Sequence, residues 1–145
     1  MAISKPGFTM IEILVVVILI GGLAAMVLPN VMKRMGKGQI GTTKIALNGM
    51  KSALNEYKMD MGHYPTKQEG GLEALMNRPS SKGSDRWKGE YLDGAEVPLD
   101  AWNNEFFYSA PPQQFSKEYK FFELYSKGDL SDEKNENDPD LRVGS

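Results

Sequence analysis

The sequence of 145 residues contains no cysteine. A disulfide framework, a thiolate metal site and a cysteine nucleophile are therefore excluded. Histidine is nearly as scarce, because His63 is the only one in the chain. No nucleophile–base pair can be proposed around it, and no glycine-rich phosphate cradle is present. These absences argue against an enzyme.

A strong net charge is also lacking, because 17 basic and 19 acidic side chains leave a formal charge of −2. No basic patch interleaved with aromatic side chains occurs either, so we expect no binding to nucleic acid. The length is enough for one domain.

One long apolar run, FTMIEILVVVILIGGLAAMVL, covers residues 8–28 of an otherwise polar chain. Its length suits a hydrocarbon core about 30 Å thick, which a helix of roughly 20 residues crosses. One alternative is a secretory signal peptide, whose apolar region is usually about 7–15 residues. Another is a buried core helix, although no other part of the chain is apolar enough to surround it. We predict a transmembrane helix over residues 8–29.

Two features of this run are unusual. Glu12 lies inside it, where an acidic group at the bilayer centre costs about 2.5–3.5 kcal/mol. The preceding residues 1–7, MAISKPG, are too short to fold and end at Gly7. Cleavage after Gly7 would give Phe8 a new amine about one helical turn from Glu12, and these groups could pair between staggered chains. The alternative is that Glu12 is an interfacial residue near the helix end.

The segment KPGFTMIEILVVVILIGGLAAMVLP resembles the leader and N-terminal helix of the type IV pilin-like superfamily, which includes type IV pilins and type II secretion pseudopilins. In that superfamily a prepilin peptidase cuts between glycine and phenylalanine and methylates the new amine. The resemblance therefore implies cleavage and N-methylation at Gly7 and Phe8, and an assembly role for Glu12. It also implies a single-pass inner-membrane protein whose C-terminal domain is periplasmic.

The charges that flank the apolar run disagree with that orientation. The leader carries only Lys5, whereas Lys33, Arg34 and Lys37 lie just beyond the run. The positive-inside rule would place the more basic flank in the cytoplasm. Because the cleavage motif is specific and the rule is a tendency, we expect the periplasmic orientation.

A helical pattern resumes beyond Pro29. Apolar and small residues recur there at alternating spacings of three and four, as on one face of an amphipathic helix. They are Ile40, Thr43, Leu47, Met50, Leu54, Tyr57 and Met61. We predict an amphipathic spine helix over residues 30–62 that packs on the protein's own core. The glycines between the two helical segments disfavour a helix interior, so we expect close packing or partial unwinding in a filament.

Residues 63–145 are predicted to form a globular domain that ends in an acidic loop. Two aromatic segments, residues 105–108 and 119–125, are predicted to be antiparallel strands, separated by a proline pair. A short helix is expected near residues 72–76. The predicted fold class is α+β: a pilin-like long N-terminal helix, transmembrane in its first half, packed on a small antiparallel β-sheet.

Motifs in the globular part are similar to those of the major pseudopilin of type II secretion. They are YPT at 64–66, WKG at 87–89, VPLDAWNN at 97–104 and YSKGD at 125–129. The sequence departs from that family at Ala101, usually proline, and at Asn103, usually glycine. The resemblance implies a structural subunit that polymerises into a periplasmic pseudopilus driving protein secretion. Its implied partners are copies of itself, minor pseudopilins, the prepilin peptidase and the inner-membrane assembly platform. The alternative is a type IV pilus subunit for adhesion, motility or DNA uptake.

Acidic residues crowd the segment from 129 to 140. Such a run is usually a solvated surface, but Ca²⁺ takes 6–8 oxygen ligands, including carboxylates. The segment is not an EF-hand, because Glu133 and Lys134 replace the Asp or Asn and the glycine that the EF-hand pattern requires. The major pseudopilins bind calcium in this loop, and the resemblance implies Asp129, Asp138 and Asp140 as ligands. We therefore expect a calcium site there.

Overall fold

The computed structural model describes residues 7–132 and 138–145. One long helix, α1, spans Met10–Met61, and three short strands follow: β1 (Phe107–Ser109), β2 (Glu123–Tyr125) and β3 (Arg142–Gly144). Short 3-10 helices lie at Lys67–Glu69, Gly71–Leu75, Ser84–Arg86 and Pro139–Leu141. The chain divides into two compact units, the first ending at Lys37 and the second running from Gly38 to Ser145.

The helix α1 is continuous through the glycines and through Pro29. Close packing, partial unwinding, or both, were expected in a filament, and the single chain leaves that expectation a prediction. Within the described residues, a Cβ added at Gly21, Gly22 or Gly36 would meet nothing within 4 Å. The helix ends at Met61, and Gly62 follows with φ +85, a conformation that glycine adopts without a Cβ penalty.

The core of the second unit forms where the predicted stripe of α1 meets the sheet and the loops before it. Thr43, Leu47, Met50, Leu54, Tyr57 and Met61 are buried along the helix. Phe106, Phe122 and Leu124 pack into the same cluster from the sheet side. The predicted α+β fold is confirmed, and these aromatic rings contribute to the core as expected.

The sheet is antiparallel, in the order β1-β2-β3. Tyr108 pairs with Leu124 in the middle of the sheet, and Leu124 pairs with Val143 on its other side. The central strand β2 is buried throughout, and its charged residue Glu123 accepts hydrogen bonds from the backbone N–H groups of Gln114 and Phe115.

Both predicted strands are present and pair antiparallel, but they are shorter than predicted, and the sequence analysis missed a third strand. The third strand, β3, follows the acidic segment, where three residues ending in Gly144 are too few to show a period-2 pattern. Residues 119–122 lie outside β2, because the backbone N–H groups of Lys120 and Phe121 donate to the Ser145 carbonyl instead of extending the ladder. The short predicted helix near 72–76 is a 3-10 helix at Gly71–Leu75.

Candidate assembly and calcium sites

The predicted cleavage point lies ahead of α1 in non-helical, exposed backbone. Gly7 and Phe8 both precede the helix, and 79% of Phe8 is exposed. A Cβ added at Gly7 would meet nothing within 4 Å. Nothing in the described chain therefore requires glycine at this position, and any requirement must come from a molecule that binds it.

Glu12 lies in the first turn of α1, where a negative charge favours the positive end of the helix dipole. The Glu12 backbone N–H donates to the Thr9 hydroxyl oxygen at 3.3 Å, which makes Thr9 the N-terminal cap of the helix. This cap, T-x-x-E in sequence, is a feature that the prediction missed. Within the described residues, the Glu12 carboxylate forms no ion pair.

The apolar run is exposed on every side of α1. Its large side chains, from Phe8 to Leu28, are all exposed in the single chain. By length and composition alone, α1 is able to span a membrane. Apolar side chains around the full circumference of a helix require an apolar environment, which a bilayer or packed copies of the same helix would provide.

The three predicted calcium ligands occupy two places in the described chain. Asp129 accepts hydrogen bonds from the Ser131 hydroxyl at 2.6 Å and backbone N–H at 2.9 Å, and these two bonds lower the pKa of Asp129. Asp138 caps the 3-10 helix that leads into β3 by accepting from the Asp140 N–H at 2.9 Å. Asp129 and Asp138 therefore each stabilise a local turn.

Asp140 has a cationic partner on α1. Its Oδ1 lies 2.5 Å from Lys44 Nζ, with 54% and 51% of the two side chains exposed. The oxygen chemistry of the three aspartates suits calcium. Among residues 7–132 and 138–145, however, no three acidic or histidine side chains gather into a group able to hold a metal ion. Glu133 and Glu136 lie outside the described residues, so calcium stays a prediction.

Buried Asp100 fixes the backbone from which the acidic segment begins. Its Oδ1 accepts from the backbone N–H groups of Trp102 and Asn104, and its Oδ2 accepts from the Ser126 hydroxyl at 2.5 Å. Asn104 Nδ2 donates in turn to the Gly128 carbonyl at 2.9 Å. The motifs VPLDAWNN and YSKGD contain its members, but the contact between the two motifs, which joins Asp100 to Ser126 across 26 positions, follows only from the fold.

The two departures from the family pattern have local explanations. Asn103 has φ 66, the left-handed region that glycine favours and asparagine tolerates. The Ala101 backbone N–H donates to Thr43 Oγ1 at 3.1 Å. A proline at this position has no N–H to donate, so this chain ties the turn to α1 by a bond that the usual residue cannot make.

A second buried carboxylate, Glu69, organises the loop after α1. Its Oε2 accepts from the Thr66 backbone N–H at 2.9 Å, and its Oε1 accepts from the Ser81 hydroxyl at 2.8 Å. His63 Nε2 lies 3.1 Å from the same carboxylate, and His63 Nδ1 lies 3.2 Å from the Met61 carbonyl. Only 7% of the Glu69 side chain is exposed. Sequence analysis identified His63 but missed Glu69 as its partner.

Because Glu69 holds the loop after α1 in its charged form, we expect this loop to be destabilised by acid. Burial raises the pKa of Glu69, but the hydrogen bonds from Thr66, His63 and Ser81 outweigh it and lower the pKa from 4.5 to about 2. Because the folded pKa is the lower one, the stabilisation is complete above about pH 4.5 and is lost as the pH falls towards 2.

Glu69→Gln should therefore destabilise the protein by about 3 kcal/mol at pH 7. The difference from wild type should shrink as the pH falls below 4.5, as measured by thermal melting at pH 7, 4 and 3. A difference that stays constant across this range would contradict a charged Glu69 as the anchor of the loop.

Comparison with known proteins identifies the family of the chain. A family model described as type II secretion system (T2SS), protein G, matches residues 30–143. Type II secretion system core protein G of Pseudomonas aeruginosa is 38% identical over 141 residues, covering 95% of this chain and 94% of that protein. The protein of the same name from Aeromonas hydrophila is 33% identical, covering 86% and 82% of the two chains.

A solved structure supports the fold. The crystal structure of the major pseudopilin from the type 2 secretion system of enterohaemorrhagic Escherichia coli matches with a TM-score of 0.56. It is 24% identical and covers 81% of this chain and 94% of that chain, so it bears on the fold alone. The sequence matches carry the assignment: the chain belongs to the family of type II secretion system protein G.

Proposed function

We propose that this protein is a structural subunit that polymerises into the periplasmic pseudopilus of a type II secretion system. The observation that carries the proposal is the exposed apolar run of α1, headed by Glu12, which forms no ion pair with residues 7–132 or 138–145. Family membership adds the identity of the secretion system. Copies of the chain would bury these apolar surfaces against one another, and filament growth would drive secretion.

Type II secretion is preferred to the alternative of a type IV pilus subunit. The family model and the relatives named above all concern type II secretion protein G. Minor pseudopilins and an inner-membrane assembly platform are the partners that such a filament requires. The subunit would wait in the inner membrane, spanning it once, with its C-terminal domain in the periplasm.

The proposed role is structural and not enzymatic. A cluster that superficially resembles catalytic machinery joins His63, Glu69 and Ser81. Ser81 donates its hydroxyl proton to Glu69, and the two ring nitrogens of His63 contact the Met61 carbonyl and the Glu69 carboxylate, not Ser81. A nucleophile activated by a base would instead donate to the histidine. The cluster is suited to holding a loop.

In the filament, Glu12 would pair with the N-terminal amine of Phe8 on a neighbouring subunit. The charge is expensive within an apolar environment, and a pair formed there is worth more than in water. Within the described chain Glu12 has no cationic partner, which leaves its carboxylate available to a neighbour. Prepilin peptidase would create the partner amine by cutting between Gly7 and Phe8 and would then methylate it.

Processing tests the first step of this proposal. The mature chain, extracted from membranes of cells with an active prepilin peptidase, should begin at Phe8 and carry one methyl group, as measured by intact mass. Gly7→Leu should abolish cleavage without affecting the fold, since position 7 is exposed and open. Wild-type protein that keeps residues 1–7 in such cells would contradict the proposal.

We further propose that calcium binds the acidic segment through Asp129, Asp138 and Asp140. The ion would supply positive charge that offsets the repulsion among these carboxylates. In its absence, Lys44 contributes part of that charge to Asp140. Calcium would stabilise the native state by mass action, and magnesium would do so less because it demands a tighter octahedron.

The variant Lys44→Gln removes the lysine contact to Asp140, so that the effect of calcium can be measured without it. Without calcium the variant should lose at most about 1 kcal/mol, because the pair is half exposed. With calcium it should gain more in Tm than wild type, since the ion no longer competes with an ammonium group. Asp138→Asn should abolish the calcium response. A calcium titration that leaves the Tm of both wild type and Lys44→Gln unchanged would rule out the site.

A further inference from the structure

Three cations on α1 take part in none of the contacts described above. Lys33, Arg34 and Lys37 are all exposed. Within residues 7–132 and 138–145, none of them forms an ion pair. Together these three residues form the basic cluster.

The helix itself offers the basic cluster no counter-charge. From residue 13 to residue 55 the sequence contains no aspartate or glutamate. On an ordinary exposed helix, acidic residues three or four positions away would commonly balance such cations. Their absence leaves a concentrated positive charge that an anion from another molecule would neutralise.

The position of the basic cluster indicates which anion. At 1.5 Å per residue, Lys33 lies about 8 Å beyond Leu28, the last residue of the apolar run, and Lys37 about 14 Å beyond it. The headgroup layer on each side of a bilayer is about 5–8 Å deep. Lys33 and Arg34 therefore reach the headgroup level, and the long side chain of Lys37 can extend back to it.

The cations also share one side of the helix. At 3.6 residues per turn, the three positions fall within a sector of about 100°. Lys33 and Lys37 are four residues apart and stack along the axis, with Arg34 beside them. One side of α1 therefore presents three positive groups at the depth where phospholipid phosphates lie.

We propose that the basic cluster binds the phosphate groups of anionic phospholipids in the leaflet from which α1 emerges. This inference rests on the proposed membrane anchor and adds the lipid class that the anchor contacts. Attraction of juxtamembrane Lys and Arg to an anionic surface is a general effect that salt screens. Contact between the basic cluster and the phosphates fixes the depth of the unassembled subunit in the bilayer.

The binding has a consequence for assembly. A subunit that leaves the bilayer for the filament must release these phosphates, so the basic cluster opposes premature extraction. The contact also accounts for cations on a flank where the positive-inside rule does not expect them. Their function there is to hold lipid and not to set the orientation.

The test uses the full mature chain and two lipids. Insertion into vesicles of pure phosphatidylcholine first tests the membrane anchor by itself. Native mass spectrometry of the chain released from mixed micelles then measures retained phosphatidylglycerol against phosphatidylcholine. Wild type should retain phosphatidylglycerol preferentially, and rising salt should reduce that preference.

The triple variant Lys33→Gln/Arg34→Gln/Lys37→Gln should lose the preference, by on the order of a hundredfold at low salt. The matched control is Lys82→Gln/Lys117→Gln/Lys120→Gln, which removes three exposed lysines of the second unit and should behave as wild type. Arg34→Lys, which keeps the charge, should also retain phosphatidylglycerol.

Two results would overturn the proposal while leaving the membrane anchor intact. One is equal retention of phosphatidylglycerol by wild type and the triple variant. If that variant also failed to assemble, the basic cluster would instead contact an acidic surface of a protein partner. The other is an equal loss of phosphatidylglycerol retention in the matched control. That result would show that retention depends on net charge and not on the position of the cations. Failure of wild type to enter phosphatidylcholine vesicles would contradict the anchor and the inference together.

Discussion

Glu12→Val should abolish filament assembly while leaving the subunit in the membrane. Removing a charge from the apolar run lowers the cost of insertion by up to about 3 kcal/mol, so the membrane-bound monomer should be at least as abundant as in wild type. The Phe8 amine of the neighbour would then be left buried without a partner, which is strongly destabilising for an ion pair in an apolar setting. Filament yield in sheared fractions should fall at least tenfold.

Two further variants make this result specific. Glu12→Asp keeps the charge on a shorter side chain and should recover part of the assembly. Glu90→Val makes the same kind of change at an exposed loop position, where the carboxylate forms no ion pair within the described residues, and should assemble normally. A filament yield of Glu12→Val equal to that of wild type would show that Glu12 has no role in assembly.

Gly144→Ala should destabilise the second unit by about 3 kcal/mol. An added Cβ would lie 2.3 Å from Tyr119 Cγ and 2.6 Å from the Phe122 carbonyl oxygen, closer than such atoms approach. The ring and the backbone are both packed in place, so β3 would have to move away from β2. Thermal melting of the full chain in detergent, followed by near-ultraviolet circular dichroism, should show a Tm lower by roughly 10 °C or more.

Gly49→Ala is the matched control, and its effect should have the opposite sign. Gly49 lies within α1, and an added Cβ would meet nothing within 4 Å. Alanine is favoured over glycine in a helix interior by about 1 kcal/mol, so the Tm should rise by a few degrees. A Tm for Gly144→Ala equal to that of wild type would contradict the packing of β3 against Tyr119.

Regular patterns of the sequence predicted the long elements of this fold. The apolar run and the three-four spacing from Ile40 to Met61 each extend over many residues, so both predicted helical segments were found, joined as one helix. Strands of three residues carry no such repetition. The strand β3 depends on pairing with β2, a contact between distant parts of the chain that no local pattern encodes.

The functional sites show the same difference between contiguous motifs, which the sequence reveals, and contacts between distant residues, which it does not. The motif around Gly7, Phe8 and Glu12 is contiguous, so its resemblance to a known leader and helix is visible in the sequence alone. The networks of Asp100 and Glu69 join residues up to 26 positions apart, as between Asp100 and Ser126. Each member is an ordinary polar residue in sequence, and its role follows only from the folded chain.

The proposed filament is built from copies of this chain that pack through the N-terminal part of α1. A cryo-electron microscopy reconstruction of filaments, sheared from cells that express the chain together with its secretion system, would show this packing directly. We expect a helical filament with residues 8–28 packed at its axis and mature chains that begin at Phe8. The Glu12 carboxylate should lie within ion-pair distance of a neighbour's Phe8 amine. A filament in which Glu12 faces solvent, far from every amine, would contradict the proposal.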